Sequence, residues 1–148
     1  MTLEDYFPNL RATPYRLTSP ASAEHNCIAW AARDQERWWW PDAMGQGYWP
    51  EGVPREETLS AFEQAYGTLG FVRCESADAE PGFVKVAIYA QGPLPKHAAR
   101  QLPQRGWTSK LGSLEDIEHD TLQALEGDRY GKVVLGLKRR VEQNEPQW

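Results

Sequence analysis

Cysteine is scarce in this chain. Cys27 and Cys74 are the two present among 148 residues, too few for a disulfide framework and too far apart for the C-x-x-C spacing that holds zinc or forms a redox pair. In a reducing compartment both are expected as free thiols. Basic blocks are lacking as well: the formal charge is -5 and the local cluster is Lys138 to Arg140, so the basic face that nucleic acid or an anionic membrane demands is absent. No apolar run approaches the length of a membrane span, and MTLEDYFPNL lacks the charged-then-apolar order of a signal peptide. A cytoplasmic protein is the default expectation, with delivery as an effector a second route. Histidine is rare too. His25, His97 and His119 are, beside the two thiols, the groups able to do nucleophile or base work near neutral pH. No internal repeat or low-complexity stretch appears, and no cofactor is expected.

What the chain does contain is apolar and aromatic mass. With 41% apolar residues and seven tryptophans, residues 1–148 suit a single domain with one real core. Pro8, Pro14 and Pro20, with Tyr6, Phe7, Leu10, Tyr15 and Leu17 among them, make residues 1–21 an extended arm pinned by aromatic side chains. From Ser22 to about Ala32 small and apolar residues recur at helical spacing, and either Ser22 or Asn26 can act as N-cap. RWWWPDAMGQGYWPEGVP is too rich in proline and glycine for a helix or a central strand. Its indoles must fold over the core or line a groove, and core cover is the commoner use.

PREETLSAFEQAYGTLG predicts an amphipathic helix with Leu59, Phe62, Tyr66 and Leu69 on one face and Gly70 as the stop. The period then changes to two: FVRCE and FVKVAIYA alternate, with Val84, Val86 and Ile88 on one face and Lys85, Ala87 and Tyr89 on the other. KHAARQL and GWTSKLG, joined by PQR, predict a hairpin. SLEDIEHDTLQALEG predicts a second helix, capped by Ser113 and Asp116 and ended by Gly127, which puts His119 on a helix face. YGKVVLGLKRR is a last strand, and 141–148 a frayed tail apart from what Trp148 reaches. The order implies an α+β fold whose mostly antiparallel sheet is packed by helices.

Cys27 then draws the chemistry. With Asn26 as cap it occupies the first helical turn, where free N–H groups and the positive dipole end favour a thiolate and a developing oxyanion. With Ser22 as cap it lies a turn deeper and reads as a buried plug. His97, opening a strand after a GPLP turn, can be aimed across at a helix N-terminus as a Cys–His dyad requires. His25, two residues from Cys27, points away and is expected to be exposed. A metal site from Cys27, His97 and His119 is weaker, because no close ligand pair anchors it.

N-C-I-A-W-A on a helix, followed far downstream by V-A-I-Y-A, a Gly/Pro turn, K-H-A-A-R-Q and G-W-T-S-K-L-G, resembles the core of papain-like cysteine hydrolases, nearest the compact bacterial NlpC-type branch. The same string also resembles an uncharacterised family of small bacterial proteins. The likeness runs from about Asn26 to Gly112. It implies a papain-like core with Cys27 as nucleophile, His97 as general base and the Cys27 backbone N–H in the oxyanion site. In that family a polar residue on the strand after the histidine orients the imidazole, and Thr108, Ser109 and Lys110 are available here. Simple hairpin counting puts His97 opposite Gly112, which turns Ser109 to the other side unless a bulge intervenes. Asp116 is then a rival orienter, although it also reads as a helix cap with Ser113.

The expected function is a cysteine-dependent hydrolase or acyltransferase acting on an amide or ester. A peptide, a peptidoglycan-type amide or a protein side chain is the expected substrate, and Trp38, Trp39, Trp40 and Trp49 wall the cleft. The alternative is a non-catalytic protein- or glycan-binding module on the same scaffold, with Cys27 buried and the Trp-rich loop as the contact surface. Nothing in the sequence specifies an oligomeric state.

Overall fold

A computed structural model describes residues 2–141. Of the expected tail, Val141 is held by its N–H on the Gly82 carbonyl at 2.8 Å, and the rest with Trp148 lies outside the described residues. The N-terminal arm is less extended than its prolines imply. It starts with a single turn, α1 (Leu3–Tyr6), closed by a capping box between Thr2 and Asp5. A 3-10 turn follows at Pro8–Arg11, where Pro8 sits at the start and its missing N–H costs nothing. Then comes an edge strand, β1 (Tyr15–Ser19).

Of the two possible caps, Asn26 starts α2 (Cys27–Ala31): its side chain accepts the Ala29 N–H at 3.1 Å. The helix stops after five residues because Arg33 turns left-handed at φ 65° and the Asp34 N–H bonds back to the Ala29 carbonyl at 2.8 Å. α3 (Leu59–Gly67) is capped by Thr58 and buries Phe62 and Tyr66, as the apolar spacing predicts.

The remaining strands are β2 (Val72–Cys74), β3 (Phe83–Gln91), β4 (Leu94–Gln101), β5 (Trp107–Lys110), β6 (Asp116–His119) and β7 (Lys132–Arg140). They form one seven-stranded sheet in the order β1-β6-β5-β4-β3-β7-β2, with every pairing antiparallel. The fold is α+β with few helices.

The second long helix, expected over SLEDIEHDTLQALEG, does not form. Asp116–His119 is instead a strand that pairs with β1 on one side and β5 on the other, and only Leu122–Leu125 coils, as a 3-10 turn. Asp116, Ile117, His119 and Thr121 are weak helix formers, and a segment inserted between two strands satisfies its backbone groups on both sides. Strand alternation, with Ile117 and His119 on one face, therefore prevails over the helical spacing.

Helices and turns cover both faces of the sheet. Val84, Val86 and Ile88 pack with Ala98, α2 and α3, whereas Ala87 and Tyr89 pack with Ala99, Trp107, Ile117 and the two 3-10 turns. Alternation along β3 thus holds, but both sides are buried. On the α2 side the Lys110 ammonium is also buried. It donates to the carbonyls of Ser22, Gly112 and Leu114 at 2.7, 2.7 and 2.5 Å and ties the segment before α2 to the end of β5. No helix among the described residues is long and apolar enough to cross a membrane.

Candidate functional site

Cys27 is the first residue of α2, as a nucleophile at a helix head should be, and its sulfur lies within reach of the backbone N–H groups of Ala98, Ile28 and Cys27 itself. The side chain is only 6% exposed. Burial outweighs those N–H groups and pushes the thiol up to about 11. The depressed thiol expected from the dipole does not occur in this arrangement, since a five-residue helix supplies a small dipole while the apolar surroundings oppose any charge.

His97 is fully buried, at 0% exposure. Its ring stacks on Tyr130 at 4.1 Å and meets Tyr89 edge-on at 5.1 Å. Nε2 of His97 lies 2.9 Å from the Ser109 hydroxyl, which lies 2.8 Å from Nε2 of His119. Nδ1 of His119 is 2.8 Å from the Thr121 carbonyl. These partners dictate where the protons are. A carbonyl only accepts, so His119 carries its proton on Nδ1, and burial, which pulls its pKa down to about 4, keeps the ring neutral. Nε2 of His119 must then accept, so Ser109 donates to it and in turn accepts from Nε2–H of His97. His97 is left with its lone pair on Nδ1, which is buried and has no hydrogen-bond partner. Burial, and next the His119 ring, hold the His97 pKa well below the usual imidazole value.

Ser109 thus faces His97, contrary to simple hairpin counting. The turn closes with the Leu102 N–H on the Gly106 carbonyl at 2.9 Å, with Gly106 at φ 80°, and sets Arg100 opposite Thr108. That register is one residue shorter than the count that paired His97 with Gly112. Extended by one step, it puts Ser109 beside Ala99, on the His97 face. Asp116 falls on the other face, opposite Lys110, where its carboxylate accepts the Thr18 hydroxyl. It neither caps a helix nor touches His97. The partner that sequence reasoning missed is His119, obscured by the helical reading of 113–127; the signal was the alternation of Ile117 and His119.

Cys27 and His97 meet the same strand from two sides. The sulfur packs in the cluster that contains Ala98, while the neighbouring residue His97 points among Tyr89 and Tyr130. Among the described residues no hydrogen bond joins them. A bulge lies beside the pair: Tyr89 pairs with His97, but Ala90 already pairs with Pro95.

His25, expected at the surface, is buried and stacks on Trp30 at 5.4 Å, with burial lowering its pKa. The Trp-rich loop serves mostly as core cover. Trp39 and Trp49 are buried and their indole N–H groups are engaged by Asp34 and the Pro54 carbonyl, so neither walls an open cleft. Trp40 packs edge-on to Phe62 and is half-buried, and Trp38 remains 38% exposed. Cys74 is half-buried on β2, with its sulfur 3.5 Å from the Ser76 carbonyl. Among the described residues no group of three His, Cys, Asp or Glu side chains is placed to hold a metal ion.

Residues 16–138 match the family described as a domain of unknown function, DUF7689, and the chain belongs to that family. No curated protein and no solved structure matches it.

Proposed function

We propose that this family member is a cysteine-dependent hydrolase or acyltransferase with a papain-like core, in which Cys27 attacks an amide or ester carbonyl and His97 takes the thiol proton on Nδ1. The observation that carries this reading is the hydrogen-bond chain Thr121–His119–Ser109–His97. It leaves a buried imidazole with one unpartnered basic nitrogen, and an unpartnered buried polar atom calls for an explanation, of which a catalytic role is one. Cys27 lies one residue off, against the Ala98 N–H.

In the reaction the sulfur adds to the carbonyl as its proton passes to Nδ1 of His97, and backbone N–H groups at the head of α2 steady the developing oxyanion. The imidazolium then returns the proton to the departing amine or alcohol, and water or a second nucleophile releases the acyl group by the reverse sequence. Ser109 and His119 act as positioning residues that keep Nε2 of His97 protonated. In the closed arrangement thiol and imidazole are both neutral and lie on opposite sides of β4. The reaction therefore requires, besides an opening that admits substrate, a rearrangement of β4 at its bulge that brings sulfur and Nδ1 together. A peptide, a peptidoglycan-type amide or a protein side chain fits this chemistry.

A second reading has its own observation. The sealed, unactivated state of Cys27 favours a non-catalytic protein- or glycan-binding module, with Trp38 as its exposed aromatic group. Iodoacetamide labelling from about pH 6 to about pH 10 separates the two. Catalysis requires a Cys27-specific step well below the ordinary thiol range that weakens in His97→Ala, together with turnover of an amide or ester panel that Cys27→Ala abolishes. Slow labelling of Cys27 that follows ordinary thiol titration and ignores His97→Ala rejects the enzyme.

A further inference from the structure

We infer that residues 34–55 form a lid over Cys27, latched by the Asn26 side chain. The inference deepens the thiol-enzyme reading and rests on it for its biological purpose. The latch is one carboxamide with three bonds. Oδ1 of Asn26 accepts the Ala29 N–H at 3.1 Å and the Trp39 N–H at 3.2 Å, while Nδ2 donates to the Trp39 carbonyl at 2.6 Å. The residue that caps α2 therefore also clips the loop backbone to the helix head, one position before the sulfur. Loop position and nucleophile position are coupled through a single side chain.

The loop is built to move as a unit. The Asp34 carboxylate accepts the Trp39 indole N–H at 2.9 Å and Nε–H of Arg37 at 2.7 Å. The Trp40 N–H bonds to the Tyr48 carbonyl, and the Tyr48 N–H to that of Trp38, at 3.0 and 2.8 Å. Arg55 closes the far end on the carbonyls of Asp42 and Gly47, at 2.9 and 2.7 Å. Under this frame Trp39 and Trp49 share the apolar cluster of Cys27, and Trp40 and Trp49 rest on Phe62 at 5.4 and 5.1 Å. Leaving this seat exposes Trp39 and Trp49 and costs their apolar contacts, so the opened state is a minor one, but it keeps the loop's internal hydrogen bonds because these close within residues 34–55. Opening hydrates the sulfur and removes the burial that keeps the thiol protonated.

The test uses the intact chain and reads the thiol, not turnover. Cys27 labelling by iodoacetamide is followed against urea concentration, alongside global unfolding by tryptophan fluorescence. A lid gives a labelling slope well below the global one, because local opening exposes less surface; a slope equal to the global one overturns the proposal. In Asn26→Ser the hydroxyl preserves the cap but not the carboxamide bridge, so Cys27 labelling should accelerate about tenfold with the Cys74 rate unchanged. An unchanged Cys27 rate in folded Asn26→Ser also overturns it, and should that variant fail to fold, the wild-type slope decides. A shallow slope without a His97-dependent pH step sustains the lid while the catalytic reading fails; the converse rejects the lid alone.

Discussion

The two sides of β4 bury their reactive groups in opposite ways. On the α2 side, Cys27 has apolar neighbours and a few backbone N–H groups; on the other, His97 ends a chain of polar groups that runs to the Thr121 carbonyl. Burial drives the thiol up and the imidazole down, because each resists its charged form in a medium of low polarity. Both therefore rest neutral, but for different structural reasons. The sulfur is neutral because it is sealed. The imidazole is neutral, oriented and fixed in one tautomer, which packing without partners cannot achieve.

Removing apolar mass from the sulfur side should have the largest effect. Phe62→Ala empties a fully buried site beneath Trp40 and Trp49 and should lower unfolding stability by about 3–5 kcal/mol. Denaturant titration should return the same loss at about pH 7.5 and about pH 5, since no titrating group is removed; a loss that changes with pH breaks the contrast between the two sides.

The histidine side should give way to acid. His119 titrates near 6.5 when unfolded and at about 4 when folded, so between those values the unfolded chain binds more protons. Its contribution is complete above about 6.5 and is lost as pH falls toward 4, a change of roughly 3 kcal/mol. His97, also depressed, acts in the same direction. Stability curves measured against pH check the sign, and His119→Phe should flatten the curve.

A smaller effect is expected for Ser109→Ala, which strands the Nε2 atoms of both histidines and should cost about 2 kcal/mol. Its sharper reading is spectroscopic. Nitrogen-15 shifts of the imidazoles should show His97 protonated on Nε2 in the wild type and a mixture of tautomers in the variant. A single, unchanged tautomer in Ser109→Ala would show that Ser109 does not hold the ring.

Much of this arrangement was legible residue by residue. Phe62 and Tyr66 mark the buried face of α3, and Asn26 was one of the two candidate caps for α2, because capping and helical spacing are local. Alternation in FVKVAIYA separated Val86 and Ile88 from Ala87 and Tyr89 for the same reason. Residues 113–127 were misread because their helical spacing competes with a strand that exists only once β1 and β5 flank it. His25 was misplaced in a related way, because adjacent residues do not reveal that it stacks on Trp30. Trp39 took the core-cover role favoured for its loop, but neither adjacent residues nor composition reveals that the loop returns over the helix head.

The order of residues by itself determined the buried face of α3, the alternation along β3 and an imidazole near the start of a strand. It offered Ser22 and Asn26 as alternative caps before the thiol; that Asn26 is the cap was the structure's decision. The tertiary structure alone decided that this imidazole faces Ser109 and His119 while the sulfur lies across the strand from it. The physical reason is range: backbone conformation responds to neighbours a few residues away, whereas the one-residue register of the β4–β5 turn and the choice of which element covers which face of the sheet depend on contacts between segments far apart in the chain.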